Sequence, residues 1–294
     1  MDARLTSQTH SKPSFVHTLI KRLKILLLVA IKEITTLAVK KAVFAQIESV
    51  RMRQVRSVVG PIFHVSFLAH HLNVFFCGHR MHARIESDKF YDLDHRISDI
   101  KNFSTVFFTN WNLVFQTIYF ILAVTHDLLR ICSLWDSLRD RIDRWKGFLF
   151  TSIVFPCSIF VSTMFWGVYS IDRELVYPEV CDEFIPDWLN HCIHTNIVVF
   201  LIIEVLITNQ LLPTFKSAFT ALTVLTIFYD IIFFITFFIY GRFIYGLFHV
   251  FNWPQRIMFL LLNYFVTILA MKIGIVIENF KYSLSRKRVK TAKM

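Results

Sequence analysis

Long apolar stretches alternate with short polar ones along the chain, and the apolar stretches set the first prediction. Six of them run roughly from Val58 to Cys77, Val106 to Thr125, Phe148 to Tyr169, Cys192 to Leu212, Ser217 to Tyr240 and Ile257 to Asn279. Each is close to the length of about 20 residues that carries a helix across the hydrocarbon layer of a bilayer. Backbone groups in hydrocarbon must bond within their own segment, so these stretches are expected to be helices. The period-two alternation of an outer-membrane barrel does not occur, nor does an internal repeat. The first stretch is the most polar, with His64, His70, His71 and Asn73 inside it.

Residues 1–57 have a different pattern. Ile25 to Ile31 is apolar, but Lys32, Glu33, Lys40 and Lys41 interrupt the stretch beyond it. That arrangement suits a helix lying among lipid headgroups better than a seventh span. The run is also short and lacks the small-residue cleavage site of a signal peptide. The expected architecture is an all-α integral membrane protein with three parts. A basic N-terminal extension with an amphipathic segment covers 1–57, a six-transmembrane-helix bundle covers 58–280, and a basic tail covers 281–294.

Composition supports the membrane reading. Of 294 residues, 55% are apolar and only 18% charged, with 32 phenylalanines. Soluble domains carry about 25% charged residues, so this chain has too few polar groups to cover a water-facing surface. A soluble enzyme and a disordered chain are both disfavoured. The net charge of +11 is concentrated near the two ends, in Lys21, Arg22, Lys24, Arg51, Arg53 and Arg56, then Lys281, Arg286, Lys287 and Arg288. Basic stretches beside apolar spans mark the cytosolic side and attract anionic lipid. Nucleic-acid binding would need the same charges on a soluble surface and is not expected.

Loop charge orients the bundle. The connection from Asp127 to Gly147 holds Arg130, Arg139, Arg141, Arg144 and Lys146. The connection after the third span holds Arg173 against Asp172, Glu174, Glu179, Asp182, Glu183 and Asp187. Both termini are therefore expected in the cytosol and the acidic loop on the far side, in the plasma membrane or endoplasmic reticulum.

The familiar hydrolase elbow, H-E-x-x-H, Walker and dinucleotide patterns are missing, and no cofactor or metal is expected. Cys77, Cys132, Cys157, Cys181 and Cys192 form no C-x-x-C pair and read as small apolar residues, although Cys181 and Cys192 flank the acidic loop and could pair in an oxidising compartment. Twelve histidines are a richer signal. His79 and His82, and His191 and His194, are each three apart and can share a helix face. The H-x-x-x-H and H-x-x-H-H spacings of membrane di-iron enzymes are missing.

Spans two and four run the same way in an alternating bundle, so their starts meet at one boundary. That places Thr109 at the depth of His191 and His194. A hydroxyl beside an imidazole is the minimal nucleophile-and-base pair. The blander reading of Thr109 is a helix cap or a side chain bonded back to its own helix.

A resemblance bears on that choice. Phe107-Phe108-Thr109 through Gln116, Phe165-Trp166-Gly167-Val168-Tyr169-Ser170-Ile171-Asp172-Arg173-Glu174, Tyr177-Pro178, and Phe184 through Thr195 with its W-L-N-H-x-x-H-T core closely resemble the androgen-induced gene and androgen-dependent TFPI-regulating protein family. The similarity covers about residues 58 to 282. It implies a six-span intramembrane hydrolase of fatty acid esters of hydroxy fatty acids, taking its lipid ester from the bilayer. The matching nucleophile is Thr109 and the matching histidine His194. Two departures stand out. About 55 residues precede the first span, where the family has few. The family's G-x-W-V-Y-P is here Gly241-Arg242-Phe243-Ile244-Tyr245-Gly246.

Around that pair, Arg173 is expected to hold the substrate's free carboxylate, against the alternative of an interfacial ion-pair cluster. His191 and Asn190 are placed at the substrate, and Asn110, Asn112, Asn190 or first-turn N–H groups are the oxyanion donors to choose from. Burial favours the uncharged ring that His194 needs to accept a proton. Glu204, Asp230 and Lys272 lie deeper, where charges are costly. They support the rival reading of a non-catalytic transporter, channel or regulatory scaffold.

Overall fold

The computed structural model describes Arg22, residues 50–87 and residues 95–291. Among the described residues there is no strand. The helices are α1 (Val50–Ser87), α2 (His95–Asn102), α3 (Phe108–Ile131), α4 (Asp136–Leu149), α5 (Phe155–Tyr169), α6 (Asp187–His194), α7 (Asn196–Ile207), α8 (Phe215–Tyr240), α9 (Gly246–Val250) and α10 (Trp253–Thr291). Five stretches are long and apolar enough to cross a membrane: Val58–Arg84, Phe108–Ile131, Asp136–Tyr169, Phe215–Tyr240 and Trp253–Leu284. α6 and α7, bent by 44° at their junction, make a sixth if taken as one span. The protein is thus an all-helical, multi-pass membrane protein. On α8, Val224, Ile227, Phe228, Ile231, Ile235 and Phe238 are at least half exposed, a stripe that suits lipid and not water.

The expected interfacial helix over 1–57 lies largely outside the described residues, and from Val50 onward the chain is already α1. The basic connection after the second span is not a loop over its length. It turns through Ser133 and Trp135, both at positive φ, and then forms α4. Its charges favour a helix because they pair along one face, Arg139 with Asp136 at 2.7 Å and Lys146 with Asp143 at 3.4 Å. α4 runs into α5 through a π turn over Phe150–Val154. Pro156 comes next, and the wider turn relieves the clash of its ring with the preceding backbone.

Three local features shape the bundle. Gly147 lets the chain after α7 lie on α4, because a Cβ there would stand 2.1 Å from the Leu211 carbonyl oxygen. α8 starts at Thr214, whose side chain accepts the Ser217 N–H, and stops at Gly241, left-handed at φ 70°, whose N–H returns to the Phe237 carbonyl. That stop releases residues 241–245 to fold back over the end of the bundle. Thr195 breaks the fourth span, where its hydroxyl is held by the Trp166 indole N–H at 3.1 Å and the His191 ring at 3.0 Å. The break ends α6 at His194.

Candidate functional site

α3 begins without a side-chain cap at Phe107. The first-turn N–H groups of a helix lack intrahelical acceptors, and that of Phe108 donates to the Tyr245 hydroxyl at 3.1 Å. Thr109 is the next residue. Its hydroxyl is not turned back onto its own helix; it lies 3.3 Å from His194 Nε2.

The other side of the His194 ring fixes its tautomer. Nδ1 lies 2.7 Å from Asn190 Oδ1 and 3.2 Å from the Asn190 carbonyl oxygen. Both are acceptors, so Nδ1 carries the proton and Nε2 presents a lone pair to the Thr109 hydroxyl. Phe165 stacks on the imidazole with centroids 3.4 Å apart and planes 8° apart, and His194 is 6% exposed. Thr109, His194 and Asn190 thus form a continuous hydrogen-bonded relay with its histidine held on three sides.

Two cavities meet at this relay. The larger, of about 840 Å³, is lined by Thr109, His194 and Leu113, with His79, Asp99 and Arg242 also on its wall. The smaller, of about 140 Å³, runs among Phe160, Met164, Leu222, Tyr229 and Asp230. Thr109, Phe165 and Tyr245 line both. The threonine hydroxyl therefore stands where a mostly apolar space divides.

The other expected site residues are placed differently. Arg173 lines neither cavity: Nη2 reaches both carboxylate oxygens of Asp182 at 2.8 Å, and Nε donates to the Tyr177 carbonyl at 3.3 Å. The Asp182 hydrogen bond pushes the guanidinium above its ordinary pKa. Arg173 thus sits in an ion pair with Asp182, the alternative that the acidic loop offered. His191 stacks on Trp166 at 5.3 Å and bonds Thr195, away from both cavities. Asn190 turns its side-chain oxygen to His194 and lines neither cavity.

Among oxyanion candidates, Asn110 donates one amide N–H to the Ser104 carbonyl at 2.6 Å, and Asn112 is fully buried and lines neither cavity, its Nδ2 without a hydrogen-bond partner among the described residues. The Thr109 N–H lies in the uncapped first turn of α3, and the Tyr245 phenol joins it as a donor on the cavity wall. Burial pushes the Tyr245 phenol above its ordinary pKa, so it stays protonated, and it lies 3.2 Å from the Tyr229 hydroxyl. Sequence reasoning misses Tyr245 and Arg242 as cavity-lining residues because they lie on a segment that stands out only as a departure from the family pattern. All five cysteines are free, Cys181 and Cys192 included. Among the described residues no cluster of three metal-binding side chains occurs.

The deep charges divide into three cases. Glu204 is fully buried and bonded to His64 at 3.0 Å, to Thr208 at 2.6 Å, to Gln210 at 3.0 Å and to Tyr119. His64 bonds Asp127 through its other nitrogen at 2.6 Å, so each ring nitrogen has a carboxylate to donate to. This network ties α1, α3 and α7 together far from Thr109, near the last turns of α3 and α7. Asp230 lines the smaller cavity and has no hydrogen bond or ion pair among the described residues. Lys272 is exposed, with its ammonium 5.9 Å from the Phe215 ring centroid.

The family described as FAR-17a/AIG1-like protein matches residues 60–279. The chain is 31% identical over 129 residues to the androgen-induced gene 1 protein of Homo sapiens, covering 42% of this chain and 54% of that one. It is 36% identical over 111 residues to the androgen-dependent TFPI-regulating protein of Mesocricetus auratus, covering 37% and 47%, and 33% identical over 123 residues to that of Homo sapiens, covering 42% and 53%. The chain thus spans about half the length of the curated relatives it matches. No solved structure matches it.

Proposed function

The chain belongs to the FAR-17a/AIG1-like family, and from that premise we propose that it is an intramembrane ester hydrolase acting on fatty acid esters of hydroxy fatty acids. The observation that carries this reading is the Thr109–His194–Asn190 relay, whose threonine stands at the wall shared by two mostly apolar cavities. A substrate of two acyl chains joined by an ester suits that division, with the ester at Thr109 and one chain on either side.

The chemistry derives from the tautomer. Thr109 Oγ attacks the acyl carbon while its proton passes to His194 Nε2. Asn190 holds the imidazolium that forms, and the Thr109 N–H and Tyr245 phenol face the charge developing on the carbonyl oxygen. The bond to the hydroxy acid breaks, and His194 returns the proton to the departing oxygen. Water, deprotonated in turn by His194, attacks the acyl-threonine and releases the fatty acid. No metal or redox cofactor is required for this sequence of steps.

The same reading assigns the activity to residues 58–280, with both termini in the cytosol. The basic extension and the tail rest on anionic lipid. The test is labelling of the purified protein with a fluorophosphonate probe and turnover of a fatty ester of a hydroxy fatty acid. Wild type is expected to be labelled and active, whereas Thr109→Ala and His194→Ala, still folded, lose both. Labelling and turnover that survive Thr109→Ala would overturn the nucleophile. A folded wild type inert to both probes would overturn the hydrolase reading and turn attention to solute flux past Asp230.

A further inference from the structure

A substrate that keeps one free carboxylate needs a cation, and Arg173 is already committed to Asp182. We propose that Arg242 forms the carboxylate-binding site of the large cavity. It is the one arginine or lysine among the cavity's described lining residues. Its guanidinium meets Asp99 through Nη2 at 2.6 Å and lies 6.0 Å from the Phe103 ring centroid. A guanidinium has five N–H donors in a fixed fork. The Asp99 contact occupies one corner, and a second carboxylate can take the remaining edge with two parallel bonds. The Phe103 ring lies beside the guanidinium and adds a cation–π contact.

The placement also sets the distance to the reacting ester. Arg242 is three residues before Tyr245, and the Tyr245 hydroxyl takes the N–H of Phe108, the neighbour of Thr109. Three residues span at most about 10 Å. The segment from Gly241 to Tyr245 therefore works as a ruler, with the carboxylate anchor at one end and the nucleophile at the other. A ligand bound along it has its ester several methylenes from its carboxylate. His79, His82 and His249 line the same cavity, but an imidazole can be neutral, and His249 Nε2 is bonded to the Phe243 carbonyl at 3.1 Å. Arg242 alone among them offers the planar donor fork that matches a carboxylate.

This inference takes the identity of the lipid from the hydrolase reading, but a long-chain carboxylate can be tested without turnover. The experiment is equilibrium binding of radiolabelled hexadecanoic acid and hexadecanol to the full-length protein in neutral detergent. Arg242→Gln is expected to weaken binding of the acid about tenfold, as loss of a charge-assisted pair would. The alcohol should bind as to wild type, which also shows that the cavity is intact. Arg242→Lys should retain part of the acid's advantage. Arg173→Gln should leave both ligands unaffected. Equal weakening of acid and alcohol in Arg242→Gln, or no change in either, overturns the proposal. So does selective loss of the acid in Arg173→Gln. If wild type binds the acid through Arg242 yet cleaves no ester, the carboxylate site stands and the hydrolase reading falls.

Discussion

Asn190 precedes His194 by one helical turn, and its side-chain oxygen takes the imidazole Nδ1 proton at 2.7 Å. That bond decides which ring nitrogen faces Thr109. Without it, Nδ1 keeps only the longer 3.2 Å contact to the Asn190 backbone carbonyl, and the tautomer and ring angle are held less firmly beside Phe165. Asn190→Ala is therefore expected to lower kcat about tenfold, the value of one orienting hydrogen bond. KM should hardly move, because Asn190 lines neither cavity. A rise in KM with kcat unchanged would mean that Asn190 touches substrate instead.

Tyr245 supplies the second test of the chemistry. Removing its hydroxyl by Tyr245→Phe leaves the Phe108 N–H without its acceptor and takes one donor from the oxyanion. A fall in kcat of about 100-fold is expected, typical of deleting one such donor. Because its pKa is pushed up by burial, the phenol stays protonated across neutral and mildly alkaline pH, so it should add no ionisation to the rate profile there. An alkaline limb that disappears in Tyr245→Phe would contradict this.

Glu204 distinguishes a structural network from a transport path. Its carboxylate is saturated by His64, Tyr119, Thr208 and Gln210 and has no exposure. Breaking one partner of a buried charge pair costs about 3 kcal/mol or more, because the other is left unpaired. Glu204→Gln and His64→Ala should each lower the thermal midpoint clearly, while the folded fraction hydrolyses ester at the wild-type rate. Full stability combined with lost solute flux would favour the transporter reading.

Gly147 tests the packing of α4. A methyl group there would meet the Leu211 carbonyl oxygen at 2.1 Å. Gly147→Ala should destabilise the protein by about 1–3 kcal/mol through overpacking, read as a lower unfolding midpoint in detergent. A neutral substitution would mean that the segment after α7 moves aside freely.

Removing residues 1–49 addresses the basic extension. The truncated protein should float less with vesicles rich in anionic lipid, yet turn over ester in neutral micelles as the full chain does. Loss of turnover in micelles would show that the extension belongs to the working unit.

The sequence by itself determined the spans and the ingredients of the site. Runs of apolar residues fix helices in hydrocarbon whatever packs beside them, so all six stretches reappear as helical segments, with the fourth broken at Thr195. Parity of span direction and the W-L-N-H-x-x-H-T motif bring Thr109 and His194 to one boundary without reference to any contact. Periodicity carries no information on which way a side chain turns once neighbours are in place. Only the tertiary structure decided that Arg173 faces Asp182 while Arg242 faces the cavity, that Asn190 holds an imidazole, and that Glu204 is enclosed by partners as many as 140 positions away. Those choices belong to contacts between distant helices and loops, where complementarity of charge and shape selects one partner among several that the local sequence permits equally.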